Sequence, residues 1–86
     1  MDELIKDWKV YIVKCADGSL YTGITTNLDR RINEHNTSKK GAKYTSSRRP
    51  VHLVYHEAQP NRSLASKRES AIKKLNRTDK LLLINE

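Results

Sequence analysis

Residues 10–36 read VYIVKCADGSLYTGITTNLDRRINEHN, and the way this stretch divides decides the fold. From Trp8 to Cys15 the chain alternates, with Trp8, Val10 and Ile12 on one side and Lys9, Tyr11 and Val13 on the other. Alternation of β-branched and aromatic residues is a strand signal. Both sides are largely apolar, which predicts a central strand covered on both faces. Asp17-Gly18 predicts a hairpin, because glycine accepts the positive φ that the turn requires. Leu20 to Thr25 is the second strand. Gly23 lies inside it, and a glycine in a strand marks a bulge or a close backbone approach; next to Tyr21 it predicts a gap that a phosphate could enter. Asn27 can cap the following helix through its side-chain oxygen. On that helix Leu28 and Ile32 define the buried stripe. Arg31 and His35 fall beside the stripe and Arg30 points farther out. A cation at the border of a core can lay its stem along a sheet and keep its head free. One short unit therefore gathers two tyrosines as possible proton acceptors, Arg31 as a phosphate-binding cation and His35 as a second acid–base group.

Working outward, Thr37 to Pro50 is a basic, turn-rich segment in which Lys39, Lys40, Lys43, Arg48 and Arg49 surround Tyr44. No periodicity supports a long element there, and at most one helical turn is expected. Val51 to Glu57 alternates as a third strand, with Val51, Leu53 and Tyr55 on one face. His52 and His56 fall on the other face as surface residues, with no further ligands at a spacing that fits zinc. Pro60-Asn61 ends the strand. Ser63 to Leu75 follows as a helix with Leu64, Arg68, Ala71, Ile72 and Leu75 on one side. Thr78 is placed to cap a last helix, Asp79 to Asn85, whose Leu81–Ile84 run is expected to close the core. The order β-β-α-β-α-α predicts an α+β fold: a small, mainly antiparallel three-stranded sheet flanked by helices.

At 86 residues the chain is expected to form one domain spanning 1–86, with Met1 to Asp7 a frayed leader. A chain this short buries only roughly 60–65% of its unfolded surface, so its core is small. The net charge of +7 favours a polyanionic partner. A single cysteine, Cys15, excludes an internal disulfide and fits a reducing compartment; its place in an apolar run predicts a buried structural thiol. No run approaches the ~20 apolar residues of a membrane span, and no N-terminal run has the form of a signal peptide. The expectation is a soluble, cytoplasmic protein with no membrane partner and no obligate protein partner.

Val10-Tyr11-Ile12 and Tyr21-Thr22-Gly23, ten residues from tyrosine to tyrosine, resemble the two triplets that name the GIY-YIG nuclease family. The likeness continues along nearly the whole chain. An arginine eight positions after the second glycine matches Arg31, and a histidine four residues later, found in the homing-endonuclease branch, matches His35. A glutamate on a later helix binds the divalent metal in that family, and Glu69 in ASKRESAIKKL is its counterpart. The whole is similar to small stand-alone bacterial members. Val10 replaces the first glycine and Thr22 the isoleucine. An asparagine beyond the metal glutamate, present in several members, has no clear counterpart, since Asn76 and Asn85 do not match its spacing.

The resemblance implies a DNA phosphodiesterase, structure- or strand-selective rather than sequence-specific, with Tyr11, Tyr21, Arg31, His35 and Glu69 in the site. It implies 5′-phosphate and 3′-hydroxyl products and a role in DNA repair or processing. One carboxylate, phosphate and water suit Mg²⁺ (or Mn²⁺), which keeps several waters. Free tyrosine, with pKa ~10, needs nearby positive charge to serve as a base; either tyrosine could be the one. Lys39, Lys40, Lys43, Tyr44, Arg48, Arg49, Lys67, Arg68, Lys73 and Lys74 would hold the backbone without reading bases, Tyr44 by stacking on an unpaired base. Each residue also has a plainer reading. The tyrosines can be core residues, Arg31 a solvated helix residue, His35 a cation at a helix C-terminus, and Glu69 the partner of Lys73 in an i,i+4 ion pair. The competing functional readings are a non-catalytic nucleic-acid-binding module and a protein-interaction role for the Leu81–Ile84 patch.

Overall fold

β1 (Trp8–Lys14) is the middle strand of a three-stranded antiparallel sheet of order β2-β1-β3. Val10, Tyr11, Ile12 and Val13 are all buried, as alternation with two apolar sides requires of a strand covered on both faces. The computed structural model describes residues 7–37 and 41–85, so the leader up to Lys6 lies outside the described residues. β1 stops one residue short of the expected Cys15. That cysteine is buried, as its apolar surroundings predict. Gly18 takes φ +85° in the turn to β2 (Leu20–Thr25), the conformation that glycine alone adopts without cost.

Asn27 caps α1 (Leu28–Thr37) by accepting the Arg30 N–H at 3.0 Å. Leu28 and Ile32 pack on Tyr11, Val13, Cys15 and Val51, which places α1 over one face of the sheet. The basic segment contributes a single helical turn, α2 (Lys43–Ser46). The chain then enters β3 (His52–Gln59), longer than the expected Val51–Glu57. Here the structure departs from simple alternation. Ile12 pairs with Tyr55 but Val13 pairs with Leu53, so one extra residue, Val54, is accommodated as a bulge. Leu53 and Tyr55 consequently do not share a face. Val54 and Tyr55 pack on the Val10–Ile12 side and Leu53 is exposed. A period of two cannot foresee an inserted residue.

α3 (Arg62–Lys73) begins at an Asn61 cap that accepts the Leu64 N–H at 2.9 Å, and α4 (Arg77–Ile84) at an Asn76 cap that accepts the Asp79 N–H at 2.8 Å. Thr78 is therefore inside α4 and is not its cap. The face of α3 that meets the sheet is Ala65 and Ile72, two turns apart and fully buried, whereas Leu64 and Ala71 are exposed. The small Ala65 lets the helix lie close to Val10 and Ile12, so the buried stripe keeps the expected Ile72 but is rotated away from Leu64 and Ala71 toward Ala65. Only half of the C-terminal apolar run closes the core: Leu83 and Ile84 pack there, and Leu81 and Leu82 are exposed. No helix among the described residues is long and apolar enough to cross a membrane.

Candidate active site

Alternation sends the Tyr11 side chain to the α1 side of the sheet, opposite in direction to Val10 and Ile12. Its partner across β2 is Gly23. A Cβ on Gly23 would collide with the Tyr11 hydroxyl oxygen, so the missing side chain makes room for the phenol itself. The gap expected beside Gly23 is thus occupied from within by Tyr11. From α1, fully buried His35 meets this hydroxyl, with Nε2 2.8 Å from Oη. The Arg31 guanidinium, one turn earlier, lies near enough to act on the same phenol by its charge and pairs with Glu34 Oε1 at 3.1 Å.

The other side of the imidazole is held by residues that periodicity did not single out. His35 Nδ1 lies 2.9 Å from Oγ1 of Thr45, which is fully buried in α2. Arg49 Nε donates to the His35 carbonyl oxygen at 2.5 Å. Asn36 fixes the neighbouring chain by receiving Val51 N–H at 2.7 Å and donating to Val51 O at 3.1 Å. Thr45 and Asn36 carry no sequence signal of this role, because nothing local ties residue 45 or residue 51 to the end of α1.

Electrostatics follow from burial and from the guanidinium. Burial pushes the Tyr11 phenol up to about 12; Arg31 opposes this, while Tyr21 and Glu69 add to it. Burial also pulls His35 down to about 4, assisted by Arg31 and Arg49 and opposed by Glu34. At neutral pH both partners of the 2.8 Å contact are uncharged, so His35 is not a charged helix-end cation.

Tyr21 sits half-buried against the same imidazole, ring centroids 5.4 Å apart and edge-on, and its other side stacks on Tyr44 at 5.8 Å. Arg48 lies 4.1 Å over the Tyr44 ring, pairs with Asp17 at 3.1 Å and donates to the Tyr44 carbonyl oxygen at 2.7 Å. Tyr44, 41% exposed, is the outermost ring of the row. Glu69, half-buried on α3, has Lys73 Nζ 3.3 Å from its Oε2, and its charge still reaches the Tyr11 phenol.

Of the basic residues expected at a nucleic-acid surface, Lys43, Lys67, Lys73 and Lys74 are exposed. Lys39 and Lys40 lie outside the described residues. Arg68 donates to both oxygens of Glu57 at 3.1 and 3.0 Å, so its guanidinium braces α3 to β3. Among the described residues no group of three or more His, Cys, Asp or Glu converges. The donor set fits a hard cation held by the single carboxylate of Glu69, with its remaining positions left to phosphate and water, and it does not fit zinc.

The model of the GIY-YIG catalytic domain matches residues 7–82. The chain belongs to the GIY-YIG family. Tyr11, Gly23, Arg31 and His35, which the family triplets and spacings pick out, are the residues that converge in space. Among relatives, a UPF0213 protein of Desulfotalea psychrophila is 68% identical over 77 residues, covering 90% of this chain and 70% of that one. A UPF0213 protein of Staphylococcus haemolyticus is 57% identical, covering 90% of this chain and 93% of its own. The GIY-YIG fold here is also similar to the solution NMR structure of a UPF0213 protein from Bacillus halodurans, with TM-score 0.59 and 47% identity over 92% of this chain and 83% of that one. A protein from E. faecalis solved by NMR gives TM-score 0.60 and 47% identity over 87% and 79% of the two chains.

Proposed function

We propose that this GIY-YIG domain is a metal-dependent endonuclease acting on DNA, selective for strand or structure rather than sequence, in repair or processing. The observation that carries the reading is the contact of the buried Tyr11 hydroxyl with His35 Nε2, with Arg31 and Glu69 in electrostatic reach. A phenol held only for packing needs no imidazole on its hydroxyl and no guanidinium charge in reach.

Tyr11 is the base in this reading. Its hydroxyl contact with His35 distinguishes it from Tyr21, which packs by its ring. A neutral phenol can take a proton from water only as it yields its own. Tyr11 passes its proton to His35 Nε2 while its oxygen accepts one from the attacking water. The resulting hydroxide bonds to phosphorus, the bond from phosphorus to the 3′ oxygen breaks, that oxygen takes a proton from solvent, and His35 releases its extra proton to solvent. The products are a 5′-phosphate and a 3′-hydroxyl. Arg31 donates to the phosphate oxygens as charge builds on them, with the strength of a charge-assisted hydrogen bond. Glu69 would hold Mg²⁺ or Mn²⁺, which when bound supplies Lewis-acid stabilisation of the phosphate and leaving oxygen. Lys43, Tyr44, Lys67 and Lys73 hold the backbone around the site.

The test is cleavage of labelled single-stranded and branched DNA with Mg²⁺ or Mn²⁺, comparing wild type with Glu69→Ala and Arg31→Ala. Cutting by wild type alone, with binding retained in the variants, supports the reading. Binding without cutting, or equal cutting by the variants, overturns it. One observation favours a second reading, a non-catalytic nucleic-acid binder: Glu69 is engaged by Lys73, as in a plain surface ion pair. That reading predicts salt-dependent binding that survives Glu69→Ala, and no turnover.

A further inference from the structure

We propose that Thr45 is a positioning residue that fixes His35 as the Nδ1–H tautomer, leaving Nε2 as the open acceptor for the Tyr11 proton. The inference deepens the nuclease reading and rests on it for its consequence, but its geometry stands independently.

Protons can be counted along one chain of contacts. Thr45 Oγ1 is 2.9 Å from the Ala42 carbonyl oxygen and 2.9 Å from His35 Nδ1. A carbonyl oxygen can only accept, and a threonine hydroxyl has one proton. That proton lies on the line to Ala42 O, since two oxygens at this distance without one repel. Thr45 therefore presents a lone pair to Nδ1, and Nδ1 must carry the hydrogen. At the other end the same answer emerges. The Arg31 guanidinium nearby has no acceptor to offer, so the proton of the buried phenol needs one elsewhere, and His35 Nε2 stands 2.8 Å away. Were Nε2 protonated instead, it would donate to the Tyr11 oxygen and the phenol's own proton would lose its acceptor, and a buried donor left without a partner bears its full desolvation cost. One contact speaks for the opposite tautomer: the Ala42 N–H points to Nδ1 at 3.4 Å. It is the longest of the set and yields to the two shorter contacts.

The consequence is directional. The row Tyr11 O–H to Nε2, Nδ1–H to Thr45, Thr45 O–H to Ala42 O presents every donor to an acceptor. When Tyr11 releases its proton, Nε2 receives it and Nδ1–H remains held by Thr45. Thr45 touches neither substrate nor the reacting oxygen. It sits on the one-turn α2, and its hydroxyl is the side-chain group that meets Nδ1.

The experiment is long-range ¹H–¹⁵N correlation NMR of the imidazole in the full chain without nucleic acid, for wild type, Thr45→Val and Thr45→Ser. The expected result is a protonated Nδ1 and a bare Nε2 in wild type and in Thr45→Ser, with the tautomer shifted toward Nε2–H in Thr45→Val. A bare Nδ1 in wild type overturns the proposal, as does an unchanged tautomer in Thr45→Val. Should Thr45→Val fail to fold, wild type and Thr45→Ser still decide, since the serine variant keeps the hydroxyl and must reproduce the wild-type pattern. Cleavage kinetics form a second arm. Thr45→Val is expected to lower kcat about 10-fold, a part of the ~10²–10⁴ that general base catalysis supplies, with KM little changed and with recovery in Thr45→Ser. If wild type cuts no substrate, the nuclease reading fails while the NMR result alone judges the tautomer.

Discussion

The two faces of the sheet each hold a tyrosine hydroxyl in a polar cluster, and they use it differently. On the face of α3 and α4, Tyr55 donates to Glu57 Oε1 at 2.5 Å, Gln59 donates to Oε2 at 2.7 Å, and Arg68 spans both oxygens. Burial and Glu57 raise the Tyr55 phenol, while hydrogen bonds from Tyr55, Arg68 and Gln59 hold Glu57 below the usual carboxylate range despite its partial burial. The carboxylate there has its cation, and the phenol is pinned in its protonated form by an anion. On the α1 face, Tyr11 meets a neutral imidazole with a guanidinium nearby. In the proposed reaction its proton, held by an uncharged acceptor, shifts once a negative phosphate raises the basicity of His35. The phenol clamped by a carboxylate is a brace; the phenol beside an imidazole and an arginine is the one the proposed reaction uses.

The comparison breaks most readily in activity. Arg31→Ala should reduce cleavage by ~10²–10³, the range for loss of one transition-state donor, whereas Arg68→Ala should leave the rate close to wild type; comparable losses in single-turnover assays would abolish the distinction between the faces. The next largest effect is on stability against pH. His35 titrates at about 4 when folded and near 6.5 when unfolded, so between these values the unfolded chain binds more protons. Stability is therefore full above about pH 6.5 and falls as pH drops toward 4, by up to roughly 3 kcal/mol. Urea unfolding at several pH values should show this slope in wild type and a flatter one in His35→Gln.

At the alkaline end the sign reverses. Tyr11 ionises at about 12 when folded and near 10 when unfolded, so its contribution is present below pH 10 and fades as pH rises toward 12. Tyr11→Phe should flatten that limb in the same measurement. Gly23→Ala should then destabilise by ~1–3 kcal/mol as an overpacked site, because the new methyl must push the Tyr11 oxygen off His35; a drop in the urea midpoint together with loss of the His35 tautomer signature checks both parts. The smallest effect belongs to the other face. The Arg68–Glu57 pair is partly exposed, and removing Arg68 should cost ~0.2–1 kcal/mol, reduced further in high salt.

Much of this is legible in the sequence alone. The central strand, the Asp17-Gly18 turn and the Asn27 cap rest on neighbours a few residues apart, and such signals survive without a tertiary context. Tyr11, Arg31 and His35 were legible as a set because strand and helix periods put them on facing surfaces. The bulge at Val54, the small Ala65 as a contact of α3, and the exposure of Leu81 and Leu82 were not. Each depends on how one element docks on another, and local periodicity ranks residues by size and spacing alone.

The sequence by itself determined the element order, the family triplets and the chemical inventory of the site, since these reside in residue type and short-range spacing. Only the tertiary structure decided what each member touches. It set Tyr11 opposite Gly23, so that the space left by a glycine admits a phenol. It placed Arg31 near that phenol and left Tyr21 to pack by its ring. It brought Thr45 from a segment without periodicity to the far nitrogen of His35. The physical reason is that these contacts join residues distant in the chain, 24 positions apart for Tyr11 and His35. Their geometry is the sum of strand register and helix docking, which no window along the chain contains.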